Sequence, residues 1–499
     1  MFLSIVGRSP SARRRRLTPR GWLGSLIVLG LTWASRTEAR ELPPLALHPK
    51  NPHYFLFRGR PTVLITSGEH YGAVLNLDFD YVRYLDTLRA DGFNLTRTFS
   101  GAYVEPAGAF KIAANTLAPG TNRFLCPWAR STTPGYPLGG TKFDLTRWDP
   151  AYFGRLKEFL TQAGRRGIVV ELNLFCPFYE ESQWALSPQN PTNNINGLGT
   201  LARTNAYTLD RNGGLLAVQD ALVRKLVTEL QGFDNLYYEI CNEPYFGGVT
   251  RDWQHHIAGV ITSTEHSFRH HHLISQNIAN GAARVQNPDP AVSIFNFHYA
   301  TPPDAVRLNY NLDRVIGDNE TGFRGTNNLP YRREAWEFLL AGGGLFNNLD
   351  YSFTAGHEDG AFVYPATQPG GGNPEFRRQL RVLHEFMTAL NLIGLRPDIS
   401  VIAGGLPPGF RARGLAQPGT AYAIYLCRMD NAAGRTPDRD GSRTTLRLTL
   451  PRGSFRAVWV NPVSGQTEEH PLAKHSGGPV SLSSPPFTED MALRVQRTR

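Results

Sequence analysis

The sequence predicts an α/β protein: a (β/α)8 TIM barrel over residues 40–396, followed by an antiparallel β-sandwich over 397–499. Two observations carry that expectation. From about Val63 to Asn391, short β-branched or aromatic runs alternate with longer helical patterns, the signature of repeated βα units around a parallel sheet. Beyond about Arg396 the texture changes to short alternating runs parted by turns such as Pro451-Arg452-Gly453 and Asn461-Pro462-Val463-Ser464-Gly465, as in an antiparallel sandwich of ordinary domain size. With 499 residues, 41% of them hydrophobic, the chain can bury more than one core.

The first 39 residues read as a signal peptide, with a basic start, an apolar stretch from Trp22 to Ala34, and Thr37 and Ala39 placed for cleavage. The run Arg13 to Arg16 before Leu17 also suits the twin-arginine route, and an uncleaved anchor is the alternative. The expected location is therefore exported, periplasmic or extracellular, without stable membrane insertion after cleavage. Seven arginines against one glutamate give this leader +6 of the net charge of +10, leaving +4 for the rest. So mild a remainder gives no case for a nucleic-acid partner. Four cysteines are too few to hold such a chain together. Cys126 and Cys176, each before a proline, could pair after export, and Cys241 reads as a small buried thiol.

The eight expected strands are Val63 to Thr66, Asn94 to Thr98, Ile168 to Asn173, Leu236 to Cys241, Leu273 to Gln276, Ser293 to His298, Arg314 to Asp318 and Gly344 to Leu349. Helical periodicity covers Phe79 to Ala90, Ala151 to Arg165, Leu215 to Leu230, Asp252 to Phe268, Arg333 to Leu340 and Phe376 to Leu390. Two long inserts, Ser100 to Trp148 and Cys176 to Asn212, carry Trp128, Tyr136, Tyr179 and Trp184. Long loops on that face build a binding cleft, where each such ring either packs its loop or faces a ligand. The C-terminal strands are expected at Tyr422 to Cys427, Thr444 to Leu450, Phe455 to Val460 and Met491 to Val495.

In such barrels chemistry collects at the carboxyl ends of the strands. Two glutamates stand there: Glu243 in Tyr238-Glu239-Ile240-Cys241-Asn242-Glu243-Pro244 after the fourth strand, and Glu320 in Val315-Ile316-Gly317-Asp318-Asn319-Glu320-Thr321-Gly322 at the seventh. Two carboxyl groups facing one bond suit hydrolysis of a glycoside: one protonates the leaving oxygen, and the other attacks the anomeric carbon or activates water. Burial and a neighbouring negative charge are expected to raise the acid, Glu243.

Asn242-Glu243-Pro244 at the fourth strand, with Glu320 at the seventh, resembles the 4/7 superfamily of retaining glycoside hydrolases (clan A), most nearly the cellulase-like family 5 group, over roughly residues 50 to 391. The resemblance implies Glu243 as acid/base, Glu320 as nucleophile, and Asn242 as a partner of the sugar 2-hydroxyl. Arg97 in Asn94-Leu95-Thr96-Arg97 matches the family arginine that bonds the nucleophile, and His298 the histidine after the sixth strand. Tyr299 is adjacent to His298, whereas the family's tyrosine lies two residues on. Departures are the absent histidine in Glu171-Leu172-Asn173-Leu174-Phe175 and the absent tryptophan in Asn348-Leu349-Asp350-Tyr351, where Tyr351 remains as a substrate-binding candidate. They imply a divergent branch and leave a second expectation, a non-catalytic carbohydrate-binding or cell-surface protein.

Glu69, His70 and Tyr71 follow the first strand and face the same cleft, with Glu69 as a substrate-binding candidate beside a structural role. Glu171 and Glu239 suit buried partners of Arg97. His266, His270, His271 and His272 lack a carboxylate or cysteine at known ligand spacing, so neither a metal nor a cofactor is expected.

Overall fold

Alternation along each barrel strand decides what fills the barrel, and so where chemistry can sit. The computed structural model describes residues 42–429 and 441–498; the expected signal peptide lies outside the described residues. Eight parallel strands form one sheet: β1 (Leu64–Gly68), β2 (Leu95–Phe99), β3 (Val169–Asn173), β4 (Leu236–Glu239), β5 (Leu273–Asn280), β6 (Ile294–His298), β7 (Val315–Thr321) and β8 (Leu345–Leu349). Sequential strands are neighbours, and β8 pairs with β1. At the seam between β1 and β2 the Asn94 side chain supplies the bonds, accepting from the Ile65 N–H at 2.9 Å and donating to the Val63 carbonyl at 2.8 Å. All eight expected strands are present, with shifted ends.

The outer layer holds α1 (Tyr81–Ala90), α2 (Pro150–Arg165), α3 (Leu215–Leu230), α4 (Arg251–Glu265), α5 (Asp304–Asn309), α6 (Asn328–Leu340) and α7 (Pro374–Thr388). Both α2 and α7 start where a capping side chain precedes a proline: Asp149 accepts from the Ala151 N–H and Asn373 from the Phe376 N–H, so the missing proline donor costs nothing. Among the described residues no helix joins β5 to β6. The helix α5 was not expected, because six residues are too short for a 3.6-residue period to register.

Period-two alternation fills the barrel in layers. The lowest is apolar: Leu64, Leu95, Val169, Tyr237, Ile294, Val315 and Leu345 pack with Phe55 and Phe57 of a small antiparallel sheet beneath them. Two residues further along, the same faces carry Arg97, Glu171, Glu239, Asn296 and Asn347, all buried. Gly317 occupies that level in β7 because a Cβ there would stand 2.3 Å from the Asn296 Oδ1. The barrel is therefore apolar below and polar above.

The C-terminal strands are β9 (Phe410–Gln417), β10 (Ala421–Arg428), β11 (Thr445–Leu450), β12 (Gly453–Val460), β13 (Thr467–His475), β14 (Gly478–Ser483) and β15 (Asp490–Arg497). One sheet runs from Arg396–Pro397 through β9, β10, β15 and β12 to β13, and the second pairs Ile402–Gly404 with β11 and β14. The expected runs became β10, β11, β12 and β15. The others escaped notice because they are polar: β13, an edge strand, buries none of its nine residues. Along β10, Tyr422, Ile424 and Leu426 face the sandwich core while Ala421, Ala423, Tyr425 and Cys427 join the barrel's core. Burial on both faces explains its uninterrupted apolar run, and α6, lying between barrel and sheet, is buried on every side from Tyr331 to Leu340.

Candidate active site

Glu243 and Glu320 reach the same space from opposite parts of the barrel mouth. Glu243 lies four residues beyond the end of β4, where its own φ is +35°. Glu320 gets there by a bulge. Phe297 of β6 pairs with Asp318, yet the next residue, His298, pairs with Glu320, leaving Asn319 extra. Asp318 turns outward to Glu334 of α6, while Asn319 and Glu320 both turn inward, an arrangement simple alternation forbids.

Three donors converge on Glu320. Arg97 Nη1 and the Tyr71 hydroxyl donate to Oε2 at 3.1 and 3.2 Å, and the Tyr299 hydroxyl to Oε1 at 2.8 Å. Such a cradle is built for a negative charge. Tyr71 and Tyr299 hold φ of +66° and +52°. Such conformations cost about 1–3 kcal/mol each in a non-glycine residue, and they concentrate at functional sites. The turn at Tyr299 is how a tyrosine adjacent to His298 still reaches Glu320.

Glu243 is held by different groups. His298 Nδ1 donates to its Oε1 at 3.0 Å, the Tyr179 hydroxyl to its Oε2 at 2.7 Å and the Tyr245 hydroxyl to Oε1 at 3.2 Å. Burial pushes the Glu243 carboxyl up, as expected, but the hydrogen bond and charge of His298, with both tyrosine hydroxyls, outweigh it and leave this carboxyl below the usual range. The expectation of a raised Glu243 is thus corrected. Burial pushes His298 down, and the charges of Glu320 and Glu243 carry it above the ordinary histidine value. The imidazole, not the carboxyl, binds the proton more tightly.

An oxygen of each glutamate and a ring nitrogen of His298 all lie within 4.8 Å of one another. Among the described residues this trio is also the one cluster with spacing suited to a metal ion.

Below the pair, Arg97 contacts Glu171 at 2.6 Å and also bonds Glu239, while its Nη2 donates to Asn242 Oδ1 at 2.9 Å. Asn319 donates to Glu171 and Glu239 at 2.8 and 2.7 Å. Burial, with the charge of Glu239, pushes the Glu171 carboxyl up against the opposing pull of Arg97 and the Tyr237 hydroxyl.

The pocket above encloses about 320 Å³. Asn242, Glu243, Tyr299 and Glu320 line it, with His70, Tyr71, Glu105 and Tyr179. Glu69 does not: its carboxylate accepts from the Gly72 and Ala73 N–H groups and the Thr116 hydroxyl, fastening the loop after β1. Its neighbour His70 faces the pocket instead, Nε2 standing 3.5 Å from Glu105 Oε2. Tyr351 sits one ring back, 6.1 Å from both His70 and Phe323. Of the four insert aromatics, Tyr179 reaches the pocket, whereas Trp128, Tyr136 and Trp184 pack the loops down. The inserts bond to each other, Phe143 N–H to the Asn193 carbonyl at 2.9 Å and Ile195 N–H to the Phe143 carbonyl at 3.0 Å, as one wall. Cys126 and Cys176 are unpaired and buried; the Cys176 sulfur takes the Asn242 amide instead.

Sequence reasoning missed Tyr179 and Tyr245 as partners of Glu243. The second was legible, two residues beyond Glu243; the first is brought in by a long loop whose course no period encodes.

A barrel with these carboxyl groups at its fourth and seventh strands has the architecture of the clan A glycoside hydrolases. No protein-family model matches the chain, and no curated protein matches it. Solved structures do. A candidate glycoside hydrolase from Bacteroides vulgatus is 14% identical, with 91% of this chain and 82% of that one covered, at a TM-score of 0.62. A family 5 glycoside hydrolase from the same organism is 15% identical over 91% of this chain and 93% of its own, at 0.57. A third structure, a glycoside hydrolase, is 14% identical over 91% and 97%, at 0.59. What this chain shares with them is the fold.

Proposed function

We propose that the protein is an exported retaining glycoside hydrolase acting on a β-linked sugar. The observation that carries this is that one carboxyl oxygen of Glu243 and one of Glu320 lie within 4.8 Å of each other, which favours the roughly 5 Å separation of retaining enzymes over the wider gap of inverting ones. Glycosidase activity in neighbours of the same fold supports the reading.

In the first step a Glu320 oxygen bonds to the anomeric carbon. The carbon–oxygen bond breaks with its electron pair passing to the leaving oxygen, which takes a proton from Glu243. That proton is supplied by the Glu243–His298 pair. Esterification removes the Glu320 charge that holds the proton on His298, and the Tyr299 and Arg97 donors stabilise the carboxylate whenever it is free. In the second step water bonds the same carbon, its proton goes to Glu243, and the ester oxygen recovers its electron pair. Asn242, fixed by Arg97, lines the pocket beside Glu243, where the sugar would lie.

The test uses a 2-fluoro glycosyl fluoride. A covalent adduct on Glu320 is expected in the native protein and in Glu243→Gln, because fluoride leaves without an acid, and none in Glu320→Gln. Against glycosides with poor leaving groups Glu243→Gln should lose about 10²- to 10⁴-fold in rate. Sugar binding with no adduct and no turnover would instead favour a non-catalytic binder.

A further inference from the structure

The pocket is polar inside and apolar at its rim, and the two parts belong to different ends of a substrate. Deep in it stand Glu243, Glu320, Asn242 and the His70–Glu105 pair. Around the mouth five rings form a continuous arc. Phe323 lies 6.4 Å from Phe110, Phe110 5.3 Å from Tyr179, Tyr179 5.7 Å from Phe246, and Phe246 5.0 Å from Tyr245. Four of them are exposed although large and apolar: Phe110 38%, Tyr245 37%, Phe246 43% and Phe323 37%. Exposed apolar surface gathered at the mouth of a polar pocket marks a binding surface.

From this we infer that the substrate is a β-glycoside of a single sugar whose leaving group is an apolar alcohol, aromatic or long-chain, rather than a further saccharide. The inference rests on the glycosidase reading. Glu243 must touch the oxygen that departs, so the leaving group lies toward the mouth, where Tyr245 and Phe246 follow Glu243 in sequence and the arc continues through Tyr179 to Phe110 and Phe323. Three of these rings are phenyl, with no polar edge. The two polar groups nearest the rim are engaged with each other, since the Tyr245 hydroxyl bonds both Asn280 and Glu243. No lysine or arginine lines the pocket. A second sugar could lay only its C–H face on these rings and would find few partners among them for its hydroxyl groups, so it gains less there than a fully apolar group. An apolar group loses nothing there and buries its surface. The pocket, about 320 Å³, is at the small end for a ligand site, matching one ring inside and one at the mouth.

The experiment compares a benzyl or octyl β-glycoside with the β-linked disaccharide of the same sugar, since neither alcohol is a better leaving group than a sugar hydroxyl. The native protein is expected to show kcat/KM at least about tenfold higher for the apolar glycoside, and Phe246→Ala and Phe323→Ala are each expected to shrink that ratio about tenfold. The ratio is insensitive to a partly unfolded preparation. A native preference for the disaccharide, or ratios unmoved by both substitutions, overturns the inference while leaving the glycosidase intact. Failure of the native protein to hydrolyse any glycosyl fluoride, which carries no alcohol at all, removes the glycosidase reading and the inference with it.

Discussion

His298 stands between two carboxylates, Nδ1 at 3.0 Å from Glu243 and 3.5 Å from Glu320, with its ring fully buried. Among the described residues its Nε2 has no hydrogen-bond partner, so the protonated ring can keep its Nε2 proton and pass the Nδ1 proton along the single bond to Glu243, ending as neutral imidazole. This arrangement fixes the sign of the pH response. The proton needed by the leaving group is lost as pH rises through the raised value of His298, so kcat/KM should fall on an alkaline limb lying above the ordinary histidine value of about 6.5. In His298→Asn, Glu243 loses the partner that holds it down, and the limb should then follow Glu243 alone and move to lower pH. A limb that stays in place after the substitution would assign the proton elsewhere.

At the scale of elements, two local irregularities build the site. The extra residue in β7 rotates Glu320 inward, and the turn after β1 carries Tyr71 to Glu320 and His70 to the pocket. That turn is fastened by Glu69, whose burial pushes its carboxyl up to about 7 in spite of the bonds from Thr116, Gly72 and Ala73. A carboxyl raised in the folded state binds its proton more tightly there than in the unfolded chain. Its contribution to stability is therefore complete below about pH 4.5 and lost as pH rises through 7. Glu69→Gln, which keeps an acceptor for the backbone and has no charge to bury, should flatten the stability profile over that range. An unchanged slope in urea titrations across those pH values would contradict the role given to Glu69.

Over the whole molecule, barrel and sandwich are joined through α6. Arg332 binds both oxygens of Asp490 at 2.8 and 2.9 Å, Arg333 pairs with Glu489, Arg411 with Glu337, and Trp336 stacks on Tyr425 with 5.2 Å between rings. Both members of the first pair are buried, so removing one leaves an uncompensated charge. Arg332→Ala should cost about 3–5 kcal/mol. Because β10 serves both cores, calorimetry of the described fold should record one cooperative transition, shifted down in the variant. Two separate transitions would mean that the sandwich folds independently of the barrel.

Strand count, barrel class and the positions of both candidate carboxyls were legible in the chain because each depends on local signals: period-two runs, helical periodicity, and Asn242-Glu243-Pro244 at a strand end. Arg97 was legible through the resemblance of Asn94-Leu95-Thr96-Arg97 to the family's second-strand arginine, and the structure sets it two residues along β2 from the apolar floor. Other features depended on neighbours distant in sequence. Tyr179 meets Glu243 across 64 residues and Tyr71 meets Glu320 across 249, and neither pairing has a period to announce it. Glu69 and His70 are adjacent, and only the course of the backbone decides which one faces the pocket. Even the sign of the Glu243 shift was a tertiary matter: burial alone raises a carboxyl, and the opposite outcome follows from an imidazole contributed by another strand. The sequence by itself determined which residues lie along each strand, since alternation is a property of the extended backbone, while tertiary structure decided which charges and hydroxyls share one small space, since electrostatic and hydrogen-bond energies are set by distance through space.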